Sequence, residues 1–183
     1  MTPAHPDWQR LTQAVTARQR SIVEGLAEFL RHDTVTQNPD GVRAGAHWLI
    51  EAMRSRGLTA EILETGGNPA VYGALPLPGV RRTVLIYCHY DTKPAPPTGW
   101  LQPSPFLPVL RRGAAEEGAP LLELAQVPDH LLAEHRLYGR GSSDDKGPIW
   151  AHLTALELMR AQGIAPRVNL KLIFDGEEET GSQ

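Results

Sequence analysis

Apolar and polar positions change period along the chain, and each change marks an element. Over residues 8–31, Ile22, Leu26 and Phe29 recur at helical spacing, which predicts one amphipathic helix. Residues 34–38 read as a polar loop. Asn38-Pro39 has the form of a helix start, with Asn as cap and Pro in the first helical position. Val42, Ala46, Leu49 and Met53 give this second helix an apolar face, and Gly57 stops it. The period then drops to two. Leu58, Ala60 and Ile62 alternate with Thr59, Glu61 and Leu63, as in a half-buried strand. Residues 71–75 read as a second strand and 76–79 as a turn. Residues 82–88 form a continuous apolar run, which predicts a central strand covered on both faces.

Proline punctuates residues 94–108, so that stretch is a loop. Residues 111–120 read as an exposed excursion and 138–146 as a Gly/Ser/Asp loop. Pro148 opens a third helix. Its face of Ile149, Leu153, Leu156 and Met159 is widened by Trp150, Ala151, Ala155 and Leu158, so it should be well buried. Residues 167–174 are the last strand, expected to leave apolar surface and an unpaired edge. No internal repeat is evident. The order predicts an α/β fold, a three-layer sandwich with a mainly parallel central sheet.

Length and composition narrow the function. The 183 residues suit one domain. The net charge is −3 and the signs are interleaved, which excludes the basic stripe that nucleic-acid binding needs. The lone Cys88 can form neither an internal disulfide nor a cysteine zinc site, which points to a reducing compartment. The first six residues carry no leader pattern, and no apolar run reaches the roughly 18 residues of a membrane span. The expectation is a cytoplasmic protein with no membrane partner.

Three polar clusters carry candidate chemistry, and two directly follow the most apolar strands. They are His89-Tyr90-Asp91, Gly139-Arg140-Gly141-Ser142-Ser143-Asp144-Asp145-Lys146-Gly147, and Asp175-Gly176-Glu177-Glu178-Glu179-Thr180-Gly181. The carboxyl ends of strands are where open α/β sheets bind ligands. Side chains two apart on an extended chain point the same way, so Asp91 can accept from the far nitrogen of His89. Taken alone, the pair also fits a hydrogen-bonded histidine at a strand end. Gly139-x-Gly141 does not suit a pyrophosphate, because Asp144 and Asp145 would repel it; they suit a cation. Asp145 alone also fits an acidic first turn complementing the helix dipole. Three adjacent glutamates need either full exposure or a cation. Imidazole and carboxylate donors without thiolate favour zinc, with manganese or cobalt as alternatives. A carboxylate shared by two ions about 3.5–4 Å apart is a known catalytic design, and a further glutamate can hold the bridging water.

These segments, in this order, resemble the zinc exopeptidase family that includes glutamate carboxypeptidase, carnosinase-type dipeptidases, aminoacylase and succinyl-diaminopimelate desuccinylase. Residues 84–92 (VLIYCHYDT), 138–148 (YGRGSSDDKGP) and 178–182 (EETGS) are similar to its three metal motifs. The Trp100, Ser104-Pro105-Phe106, Pro108 stretch is similar to the dipeptidase branch. The resemblance implies a phosphorylase/hydrolase-like zinc peptidase catalytic domain with two divalent ions. It implies that His89 binds one ion, Asp91 orients it, Asp144 bridges both, Glu179 binds the other and Glu178 is the general base. It also implies a cis bond between Asp144 and Asp145, and leaves Glu177 without a role and Lys146 structural.

Family members are longer than this chain. They carry a lid or dimerisation domain, one more carboxylate ligand and a final histidine ligand. The expectation is an N-terminal portion of the catalytic domain that binds metal weakly and hydrolyses little by itself. A homodimer is implied for the full-length enzyme. His5, His32, His47, His130, His135 and His152 are poorly placed to stand in as ligands. The substrate would be a small peptide, or an N-acyl amino acid if the chain is an amidohydrolase instead. A non-catalytic binding domain that keeps the motifs is a third reading. A calcium module is disfavoured by His89, since calcium takes oxygen ligands.

Overall fold

A computed structural model describes residues 8–96 and 98–182. His5 and the leaderless reading of the first six residues lie outside the described residues. Among the described residues, four α-helices and six strands follow in the order α1 (Trp8–Ala17), α2 (Gln19–Leu30), α3 (Pro39–Arg54), β1 (Thr59–Leu63), β2 (Ala70–Leu75), β3 (Thr83–His89), β4 (Val109–Arg111), β5 (Arg136–Tyr138), α4 (Lys146–Ala161) and β6 (Asn169–Asp175).

The single helix expected over 8–31 is two helices, broken at Arg18. No residue of α1 is buried, whereas α2 buries Ala27, Phe29 and Leu30. Thr12 and Thr16 turn their hydroxyls back onto the carbonyls of Trp8 and Thr12, a habit that loosens helices. Trp8 and Val15 of α1 are exposed, so no buried apolar face holds it in line with α2, and Arg10 donates to Gln162 beyond α4. The second helix starts as expected. Asn38 Oδ1 accepts from the Gly41 N–H at 3.1 Å, with Pro39 in the first turn. Val42, Ala46, Leu49 and Met53 are fully buried.

The main sheet has the order β1-β2-β6-β3. The α/β class holds, but the sheet is mixed rather than mainly parallel. β1 with β2 and β2 with β6 run antiparallel; only β3 with β6 is parallel. Connection length explains this. A short link over residues 64–69 returns β1 as an antiparallel neighbour, while β3 reaches β6 through the long crossover containing α4.

Ala60, Ile62, Val71, Cys88, Leu172 and Phe174 point to one face and pack with Phe29, Leu49, Met53, Ile149, Trp150 and Leu153 of the helices. Of the three expected layers, the described residues supply the sheet and one helical layer. The opposite face carries Leu85 and Tyr87, 57% and 55% exposed. Among the described residues the run expected to be a doubly covered central strand lies at the edge of the sheet, and β6 lies inside with a neighbour on each side. An apolar run reports affinity for burial, not which strand wins the interior.

The excursion is partly ordered. β4 and β5 pair antiparallel, and Leu110, Val127 and Leu132 form a small core of their own. Arg111, expected to be exposed, is buried, while Ala151 and Ala155 of α4 are exposed. Among the described residues no helix is long and apolar enough to cross a membrane.

Candidate metal centre

Register sets the site. In the parallel pair His89 stands opposite Asp175, so both strands deliver their following segments to the same end of the sheet. Tyr90 leaves β3 fully buried, with its hydroxyl on the Pro69 carbonyl at 2.6 Å. Asp91 follows on the side of His89. After β6, Gly176 passes so close to Pro69 and Tyr90 that a Cβ there would lie 2.4 Å from the Pro69 carbonyl. The chain then coils into a short 3-10 turn, Glu178–Thr180. The loop after β5 turns at Gly141 (φ +81°) and brings Asp144 over the imidazole.

The five residues singled out from the sequence converge. His89 Nε2 lies 3.0 Å from Asp144 Oδ1 and 3.7 Å from Glu178 Oε2. Donor atoms of His89, Glu178 and Glu179 all fall within 4.8 Å of one another. On its other side, His89 Nδ1 faces the backbone carbonyl and Oδ1 of Asp91, at 3.1 and 3.3 Å. A Nδ1–H donated there leaves Nε2 facing the carboxylates. The Asp144–Asp145 peptide bond is cis.

The electrostatics are lopsided. Burial disfavours the charged ring of His89, but its hydrogen bonds to Asp91 and Asp144 outweigh that and push its pKa up to about 9. The protonated ring and Lys93, 3.3 Å from Glu179 Oε2, oppose the charge of Asp91, Asp144, Glu178 and Glu179. An imidazole nitrogen and several carboxylate oxygens converging on one point, with negative charge in excess, fit a divalent cation. Cys88 is on the core side of β3, and burial raises its thiol to about 12, so it adds no thiolate donor.

Three features were not read from the sequence. Asp145 does more than complement the dipole of α4: its Oδ2 accepts from the His89 backbone N–H at 3.1 Å. Lys146 is fully buried and donates to the carbonyls of Phe29 and His32, tying the end of α2 beneath the loop. The "polar loop" of residues 34–38 is built into the site, with Thr34 and Thr36 buried. Polar composition alone carries no signal for that. Of the remaining described histidines, His47, His130 and His152 are exposed, His32 is half-buried beside the Trp48 ring, and His135 Nδ1 faces the Leu131 carbonyl.

A family model described as peptidase family M20/M25/M40 matches residues 85–183, more than half of the chain. The chain belongs to this family. Among its relatives, the Cys-Gly metallodipeptidase DUG1 of Candida albicans is 31% identical over 151 residues, 75% of this chain and 27% of that protein. A metallo-carboxypeptidase of the family from Sulfolobus solfataricus has a TM-score of 0.67 at 30% identity, covering 88% of this chain and 32% of that one. Human carnosine dipeptidase 1 has a TM-score of 0.76 at 22% identity, covering 98% and 36%. At that identity the likeness is one of fold. The chain thus spans about a third of these relatives or less.

Proposed function

We propose that this chain carries the metal-binding core of a hydrolase that cleaves the amide bond of a small, dipeptide-like substrate. The observation that carries the reading is that Asp144 and Glu178 both face Nε2 of a histidine held from behind by Asp91, with donor atoms of His89, Glu178 and Glu179 within 4.8 Å of one another. The residues that would hold two divalent ions, zinc by donor type, are His89, Asp144 and Glu179, with Asp144 shared. When bound, such ions lower the pKa of a coordinated water to about 7 and polarise a scissile carbonyl.

The chain's own residues supply the rest. Asp91 fixes the ring of His89 and directs Nε2 outward. Glu178, the more exposed glutamate of the turn, takes the proton from the attacking water and passes it to the leaving amine. The relative named as a Cys-Gly metallodipeptidase supports a small peptide over an N-acyl amino acid as substrate.

Cobalt(II) titration of the 183-residue chain tests the metal reading. Wild type should develop a visible d–d spectrum, and His89→Ala should not. Equal spectra, or none in wild type, would end this reading. Metal-loaded protein offered dipeptides and N-acetyl amino acids in parallel then separates the two substrate classes.

A further inference from the structure

We propose that Thr36 is a positioning residue of the metal centre, acting through Asp91 to hold both halves of the site in one geometry. The inference rests on the metal-centre reading above and adds a residue from outside its three motifs.

Asp91 has no exposed surface, so its carboxylate depends on protein donors alone. Oδ1 faces His89 Nδ1 at 3.3 Å and accepts the backbone N–H of Glu178 at 3.2 Å. Oδ2 accepts the backbone N–H of Glu179 at 3.2 Å and the hydroxyl of Thr36 at 2.8 Å. One carboxylate therefore joins the histidine half of the site to the glutamate half. Of these donors, the Thr36 hydroxyl makes the shortest bond and comes from a segment that supplies no candidate ligand.

The segment bearing Thr36 is held tightly. Val35 forms a parallel bridge with Thr92, beyond the end of β3. Thr36 N–H donates to the Thr92 carbonyl at 3.1 Å, and Thr92 N–H donates to the Thr34 carbonyl at 2.9 Å. The Thr34 hydroxyl reaches the Tyr90 carbonyl at 2.7 Å, and Asn68 Nδ2 donates to the Thr36 carbonyl at 2.8 Å. These bonds fix the Thr36 backbone so that Oγ1 faces Asp91 Oδ2 at 2.8 Å, with the Thr92 carbonyl, at 3.3 Å, as its more distant second acceptor. Without that hydroxyl, Oδ2 keeps only the Glu179 amide, and the carboxylate can rotate away from His89 and Glu178. The partners of metal ligands tune affinity through such orientation.

The test uses the full chain with Thr36→Val, Thr36→Ser and His89→Ala. Cobalt(II) affinity is measured against a chelator. Amide exchange of the metal-free chain is followed by NMR at Glu178, Glu179 and Leu172. Thr36→Val should weaken cobalt binding by roughly 10–100-fold. It should also speed exchange at Glu178 and Glu179 by roughly tenfold and leave Leu172 in β6 unchanged. Thr36→Ser should restore both. Thr36→Ala carries the same comparison if valine does not fold. Exchange at Glu178 and Glu179 as in wild type overturns the proposal. So does faster exchange that includes Leu172, or a serine variant that behaves like valine. His89→Ala addresses only the metal: if it binds cobalt as wild type does, the metal-centre reading falls while the exchange data still decide the role of Thr36.

Discussion

Lys146→Met should change how the stability of the chain depends on pH. Lys146 has no exposed surface; its Nζ lies 5.0 Å from the Phe29 ring centroid and donates to the carbonyls of Phe29 and His32. Burial pulls its pKa from 10.5 to about 7, against a smaller opposing field from Asp33. The folded value lies below the unfolded one, so the unfolded chain binds more protons between about pH 7 and pH 10.5. Stability from this group therefore rises with pH across that window and is lost as pH falls through about 7. At roughly 1.4 kcal/mol per pH unit, the whole window is worth at most about 5 kcal/mol. His89 runs the other way. Its folded pKa of about 9 lies above the unfolded 6.5, so its contribution is full below 6.5 and fades as pH rises through 9. Both proteins carry His89, so its effect cancels in their difference. Urea unfolding followed by the fluorescence of Trp48 and Trp150, with chelator present, gives that difference directly. Wild type should gain on Lys146→Met by up to about 4 kcal/mol between about pH 7 and pH 10. A difference that stays flat with pH would show that burial does not hold the Lys146 ammonium below its ordinary pKa.

The other predictions concern the site and the core. Glu178→Gln should keep most of the metal affinity, whereas Glu179→Gln should weaken it; chelator competition on both variants checks this. Loss of metal in Glu178→Gln would make Glu178 a ligand instead of the base. Cys88 is buried, with its thiol raised to about 12, so iodoacetamide at about pH 8 should label it only after urea is added, as mass spectrometry can show. Gly25→Ala should destabilise although alanine favours helix by about 1 kcal/mol, because its Cβ would lie 2.1 Å from the Trp150 ring. A melting temperature equal to or above wild type would contradict that.

The site was more legible in the sequence than the sheet was. His89, Asp91, Asp144, Glu178 and Glu179 all carry titratable or ligating groups at strand ends, and the structure brings all five together. The helix start at Asn38-Pro39 was readable because capping is local chemistry. The edge position of β3 was not, because neighbour choice depends on segments far away in sequence. Residues 82–88 look more buried than 169–175, which contain Lys171, yet among the described residues β6 has the interior place. Thr36 escaped for a related reason: a threonine in a polar stretch looks the same whether it faces water or a buried carboxylate. The break at Arg18 has no glycine or proline to announce it, and only the missing burial of α1 accounts for it.

The pairing of His89 with Asp175 makes strand register the ruler of this site. Substitutions along β3 or β6 alter packing but leave the spacing of the two loops intact. Insertions and deletions do not. Losing one residue from either strand turns every following side chain to the other face. Losing two restores the faces but slides the imidazole roughly 6.6 Å along the glutamate turn, farther than a histidine or glutamate side chain can follow. The spacing of the candidate ligands is thus quantised in strand steps. Length changes inside β3 or β6 should be far less tolerated than almost any exchange of residues there.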